Sequence, residues 1–258
     1  MEWDTIRFER DKQVGFLILD RPASLNAVND QLILDMEAAC IAIQQEADLR
    51  VVVLKGEGRA FCSGMDLRAA ANRPATPEAL RTTWGPWMHA LEMLEQLPQL
   101  TIAAIQGPCL GAGFELMLAC DFRIATTTAF FSSPQALYGS PPDAGPTYRL
   151  PQMIGLAKAL EIVILGERFD AAQAERLGLL TKVVEPDRLV EETQKLVDRC
   201  LQVGSRAAAV TKHLLRNAWN MEPAVLAEEI DRARSASLET GELRDAMQDY
   251  REKRRPRV

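Results

Sequence analysis

Short apolar runs alternate with longer stretches in which apolar residues recur every three or four positions. Val14 to Leu19 is the first run, Gln31 to Glu46 carries helical spacing, and Val51 to Lys55 is the second run. Pro77 to Gln96 again has helical spacing, with Trp84, Trp87, Met88, Leu91 and Leu94 on its apolar side, and it leads into a third run at Thr101 to Ile105. Strand, helix, strand, helix, strand predicts parallel strands joined by right-handed crossovers, and so an α/β fold. Past Arg149 the strand signal nearly vanishes. Helices are predicted over Ala157 to Leu165, Ala171 to Leu177, Leu189 to Val203, Ala207 to Trp219 and Pro223 to Thr240, and only Thr181 to Val184 reads as extended. Lacking strands of its own, this last part must pack on the first as a lid or an assembly surface.

With 258 residues, 47% hydrophobic and 26% charged, the chain has the balance of a folded protein with one large core. A net charge of -6 argues against a nucleic-acid binder, whose affinity needs clustered Lys and Arg. The one basic run, Arg251, Lys253, Arg254, Arg255 and Arg257, reads either as a solvated end or as a phosphate contact. Cys40, Cys62, Cys109, Cys120 and Cys200 show no C-x-x-C pair, and with only His89 and His213 beside them no metal site is expected. They read as reduced, buried thiols. Neither a targeting segment nor a membrane span is visible, so a cytoplasmic protein is expected.

Two glycine-bearing segments each follow a strand and precede a helix. One is Gly58-Arg59-Ala60-Phe61-Cys62-Ser63-Gly64-Met65-Asp66-Leu67, and the other is Gly107-Pro108-Cys109-Leu110-Gly111-Ala112-Gly113-Phe114-Glu115. Such a turn exposes unpaired N–H groups and the positive end of a helix dipole, where developing negative charge is best stabilised. Taken singly, either segment is more often a plain turn.

Taken together they resemble the crotonase (enoyl-CoA hydratase/isomerase) superfamily. The likeness is carried by Leu19-Asp20-Arg21-Pro22, Leu25-Asn26-Ala27, Ala60 to Leu67, Gly111-Ala112-Gly113-Phe114-Glu115-Leu116, Ala119-Cys120-Asp121, Leu150-Pro151 and Ala171 through Leu179, and it runs from about Ile6 to Arg251. It implies an α/β spiral of repeated β-β-α units in two roughly perpendicular sheets over residues 1–195. A helical region over 196–258 would pack on this core and on neighbouring subunits in a trimer or hexamer. It also implies an acyl-CoA thioester as substrate, with no cofactor beyond the coenzyme A of the substrate itself.

By the same resemblance the backbone N–H groups of Met65 and Ala112 form an oxyanion hole for the thioester oxygen. Family hydratases use two glutamates, one matching Glu115; the other falls on Gln135, which cannot carry a proton to or from carbon. Asp143 sits where several isomerases and dehalogenases of the family place a functional aspartate, although its Pro/Gly-rich turn also suits a structural aspartate. The favoured expectation is double-bond isomerisation, with Asp143 as proton shuttle, Glu115 as a second acid/base or water holder, and Gln135 as a positioning group. Hydration by Glu115 with Asp143, and a non-catalytic acyl-CoA-binding scaffold, are the alternatives. Substrate contacts are expected from Ala60, Cys62, Gly64, Asp66, Leu67, Arg68, Gly111 and Tyr138, with Arg68 towards the coenzyme A phosphates. The dehalogenase histidine position falls on Met88, and one step along a helix turns a side chain by about 100°, so His89 reads as a surface residue. His213 reads the same way.

Overall fold

The structure is a computed structural model that describes residues 1–72, 76–142, 144–239 and 241–252. Asp143, Lys253, Arg254, Arg255, Arg257 and the side chain of Trp84 lie outside the described residues. Strands β1 (Ile6–Asp11) and β2 (Val14–Leu19) form an antiparallel hairpin that turns at Lys12, whose φ of 54° is left-handed. After β2 the chain enters α1 (Asp30–Gln44), where the Asn29 side chain accepts the Leu32 N–H at 3.0 Å and so satisfies an orphan donor of the first turn. There follow β3 (Val51–Gly56), α2 (Leu67–Ala71), α3 (Pro77–Gln96), β4 (Leu100–Ile105), β5 (Cys109–Leu110), α4 (Ala112–Ala119), β6 (Phe122–Thr126) and β7 (Phe130–Ser132). The remainder is α5 (Arg149–Ile154), α6 (Leu156–Leu165), β8 (Phe169–Asp170), α7 (Ala171–Arg176), β9 (Lys182–Val184), α8 (Leu189–Leu201), α9 (Ser205–Asn217), α10 (Pro223–Glu239) and α11 (Glu242–Arg251).

One sheet runs in the order β1-β2-β3-β4-β6-β9, parallel from β2 onward. Its central strand, Val51-Val52-Val53-Leu54, is apolar without alternation because both faces are covered. Val52 and Leu54 join the main core with residues of α1, α3 and α4, whereas Val51 and Val53 pack with Leu196, Val197 and Cys200 of α8. A smaller sheet has the order β5-β7-β8. Single parallel bridges, Cys62 to Cys109 and Val28 to Met65, extend its edge. Each winding therefore passes a strand of the large sheet, then a rung of the small one, then a helix: β3, Cys62, α2 and α3; β4, β5, α4; β6, β7, α5. This is the expected succession of β-β-α units. Among the described residues no helix is long and apolar enough to cross a membrane.

Candidate active site

The first wall of the site is the chain between β3 and α2. Asn26, fully buried at a φ of 56°, donates Nδ2–H to the carbonyls of Ala60 (2.9 Å), Glu57 (3.0 Å) and Phe61 (3.2 Å), and its Oδ1 accepts the Arg21 N–H at 2.9 Å. A Cβ on Gly56 would lie 2.4 Å from the Ala60 carbonyl oxygen, so the strand end must be glycine for this turn to fold back on it. The Ala60 carbonyl also accepts from Gln106 Nε2 at 2.8 Å. Farther on, Val28 donates to the Gly64 carbonyl at 2.8 Å and Asp66 donates to the Val28 carbonyl at 2.8 Å. That bridge uses the residues flanking Met65, so the Met65 N–H faces the other way and takes no partner among the described residues.

The second wall is the start of α4. The helix is entered through Gly111, at φ 51° and ψ -116°, which donates to the Ser132 carbonyl at 2.9 Å. Ala112, the first helical residue, has an N–H with no partner inside the helix and none among the described residues. A Cβ on Gly113 would stand 2.3 Å from the Cys62 carbonyl oxygen, so α4 seats directly on the first wall. Gly64 and Gly111 meet as well: a Cβ on Gly111 would be 3.7 Å from the Gly64 Cα. The residues after these two glycines are Met65 and Ala112, the two whose N–H groups take no partner among the described residues. Two such donors can take an oxygen that is gaining negative charge.

Glu115, on the first turn of α4, is 1% exposed. Its Oε2 accepts the indole N–H of Trp87 at 2.9 Å, and its Oε1 accepts Gln135 Nε2–H at 2.9 Å. The Gln135 amide is oriented in turn by Ser133, whose hydroxyl donates to Gln135 Oε1 at 2.9 Å. The Ala144 N–H approaches Glu115 Oε1 at 3.5 Å, so the residue after Asp143 borders this carboxylate. Ala144 and Arg149 are both buried, and Arg149 Nη1 donates to the Ala144 carbonyl at 3.0 Å. Burial pushes the neighbouring Cys62 thiol up to about 12, which leaves it protonated and unreactive at neutral pH.

Of the other expected contacts, Ala60, Cys62 and Gly64 are buried in the first wall and Gly111 in the second. Asp66 caps α2, accepting the Ala69 N–H at 3.2 Å and an Arg21 guanidinium N–H at 3.1 Å. Burial alone would raise its carboxyl, but these donors hold it below the usual value. Leu67 and Arg68 are exposed at the mouth of the first wall. Tyr138 is 72% exposed, on the 3-10 turn that begins at Gln135. His89 and His213 are exposed, as expected of surface residues, and the five cysteines are free and buried.

A sequence model described as "Enoyl-CoA hydratase/isomerase" matches residues 9–258. The chain belongs to the enoyl-CoA hydratase/isomerase family. A protein of Mycobacterium bovis named "Probable enoyl-CoA hydratase" is 33% identical, over 99% of this chain and 98% of its own. An "Enoyl-CoA isomerase/hydratase" of Mycosarcoma maydis is 33% identical, over 94% of this chain and 91% of its own. The enoyl-CoA hydratase of Bacillus anthracis superposes with a TM-score of 0.91 at 32% identity, with 98% of each chain covered. This crotonase-family enzyme thus has the crotonase fold expected from its sequence.

Three residues that hold Glu115 and its surroundings escape a sequence reading. Trp87 looks like one more apolar helix residue, yet it grips Glu115. Ser133 and Arg149 carry no motif, and their roles come from partners distant in the chain or from the turn geometry. A large aromatic with a polar handle on an apolar helix face is the one sequence signal that could have singled out Trp87.

Proposed function

We propose that this enzyme converts a 3-enoyl-CoA to the conjugated 2-enoyl-CoA, with Asp143 moving the proton. The observation that carries the reading is Gln135: at the second carboxylate's place stands an amide that donates to Glu115 at 2.9 Å and is itself oriented by Ser133. Such an amide positions a neighbour but transfers no proton. The Met65 and Ala112 N–H groups hold the thioester oxygen. Asp143 takes the proton from the carbon next to the carbonyl, the electron pair spreads into a dienolate whose oxygen lies in the hole, and the same proton returns to the far end of the former double bond. Mass and charge are unchanged. Glu115 serves as a second acid/base or as a holder of water. The coenzyme A arm follows the first wall past Ala60, Cys62, Gly64, Asp66 and Leu67 to Arg68, while Gly111 and Tyr138 border the acyl end. Self-association to a trimer or hexamer fits the exposed Leu156, Leu160 and Ile164, spaced along one face of α6.

Hydration of a 2-enoyl-CoA by Glu115 and Asp143 is the second reading, and the names of the relatives favour it. Purified enzyme given a 3-enoyl-CoA and, separately, a 2-enoyl-CoA distinguishes the two. Isomerisation gains conjugated absorbance at constant mass and is lost in Asp143→Asn. Hydration loses conjugation and adds the mass of one water, and as the sole activity it overturns the first reading.

A further inference from the structure

We infer that Arg149 is a positioning residue that holds the turn beginning at Ala144, the residue after Asp143 in the chain, and that Glu95 and Arg216 hold Arg149 in place. The inference extends the proton-carrier reading of Asp143. Its geometry is that of Ala144, the next residue, which is pinned through both backbone polar groups: its N–H approaches Glu115 Oε1 at 3.5 Å and its carbonyl accepts Arg149 Nη1–H at 3.0 Å. The Arg149 N–H donates to the Gly145 carbonyl at 2.7 Å. Gly145 has a φ of 126°, and a Cβ there would lie 2.2 Å from Arg149 Nη1, so the guanidinium lies flush against the turn backbone.

The guanidinium is fixed from behind. Glu95 Oε2 accepts from Arg149 Nε at 3.0 Å and also from Nη2, while the Tyr148 ring centroid lies 4.6 Å from the guanidinium carbon. The other Glu95 oxygen accepts from Arg216 of α9. Arg216 in turn donates to Asp121 Oδ1 at 2.7 Å and to the Ala119 carbonyl, at the end of α4, at 3.0 Å. A guanidinium spreads its donors in a rigid plane, so one side chain reaches a carboxylate on one edge and a carbonyl on the other; an ammonium cannot do both at this geometry. The chain of contacts runs from α9, through the C-terminal end of α3, to the residue beside the proposed proton carrier, and it makes no contact with the Met65 or Ala112 N–H.

The test compares Arg149→Lys, Arg149→Met and Glu95→Gln with the parent enzyme, using whichever of the two enoyl-CoA substrates the parent turns over. Arg149→Lys should lower kcat at least 10-fold while KM stays within 2-fold. The red shift of a bound unsaturated thioester, which reads the two N–H donors, should stay as in the parent. Arg149→Met should lose at least as much kcat as Arg149→Lys, and Glu95→Gln should fall between Arg149→Lys and the parent. Amide hydrogen exchange should quicken over residues 139–148 and not in α4. Unchanged kcat and unchanged exchange in a folded Arg149→Lys overturn the proposal, as does a parallel loss of kcat and red shift, which signals general damage. If the parent turns over neither substrate, the isomerase reading fails, while the exchange measurement still decides the role of Arg149.

Discussion

Replacing Gln135 by Glu tests the chemistry of the site most directly. Gln135 Nε2 lies 2.9 Å from Glu115 Oε1, with Glu115 buried and Gln135 half-buried. In Gln135→Glu a carboxylate oxygen takes the place of that nitrogen. Two ionised carboxylates so close would repel by about 6 kcal/mol at an effective dielectric constant of about 20. Holding one shared proton between them costs far less, as in carboxylate dyads generally. The variant therefore holds a proton beside the hole that the parent lacks, and general acid catalysis is worth roughly 10²- to 10⁴-fold. We expect hydration of a 2-enoyl-CoA, followed as loss of conjugated absorbance with addition of one water mass, to rise at least about 100-fold over the parent. Ser133 keeps its acceptor, so the new side chain should remain aimed at Glu115. A folded variant that binds the thioester but hydrates no faster would refute the argument. So would a parent enzyme that already hydrates at the variant's rate.

In Ala112→Pro, proline at the first helical position is tolerated while its N–H is lost, so kcat should fall by about 100-fold or more with little change in Tm; retained turnover would remove Ala112 from the hole. Trp87→Phe keeps a ring but takes a buried donor from Glu115 Oε2, and should cost about 1–3 kcal/mol in urea denaturation. A shift well below that range would show that the hydrogen bond contributes little to stability. Burial raises the Asp121 carboxyl, but Lys212 and Arg216 outweigh it and hold the group below its ordinary value. Its contribution is therefore complete above the unfolded carboxylate pKa and disappears as pH falls through the lower folded value. Asp121→Asn should weaken the acid dependence of stability below about pH 4 and cost about 3–5 kcal/mol at neutral pH, read by denaturation across that range.

The elements that formed as read are those whose periodicity is local. Val14–Leu19 and Pro77–Gln96 occupy the expected spans, and the five expected C-terminal helices lie within a few residues of their expected ends, while α5 (Arg149–Ile154) and α11 (Glu242–Arg251) were not expected. The hairpin strand Ile6–Asp11, sequence Ile-Arg-Phe-Glu-Arg-Asp, has four charged residues in six because it is an edge with one covered side, and it carries no strong apolar run. The small sheet was illegible for a different reason. Its strands, Cys109–Leu110, Phe130–Ser132 and Phe169–Asp170, have two or three residues each and exist only through pairing across long stretches of chain. At the site, the glycine turns that carry Met65 and Ala112 were visible as motifs. The grip of Trp87 on Glu115 was not, because an indole on an apolar helix face reads as core until the partner's position is known.

All of α4, from Ala112 to Ala119, is buried. Its free N–H lies at one end, and at the other Arg216 covers the Ala119 carbonyl at 3.0 Å. A helix walled in on every side and terminated at both ends cannot drift without repacking the interior, whereas Gln135 and Asp143 lie in the segment between β7 and α5, outside it. In the proposed reading the helix thus carries the Ala112 donor and Glu115, while Gln135 and Asp143 belong to a separately mutable segment. On that reading, redrafting the 133–146 segment alone would change the groups that Glu115 works with, and so the reaction, while the buried rod and its dipole stay untouched.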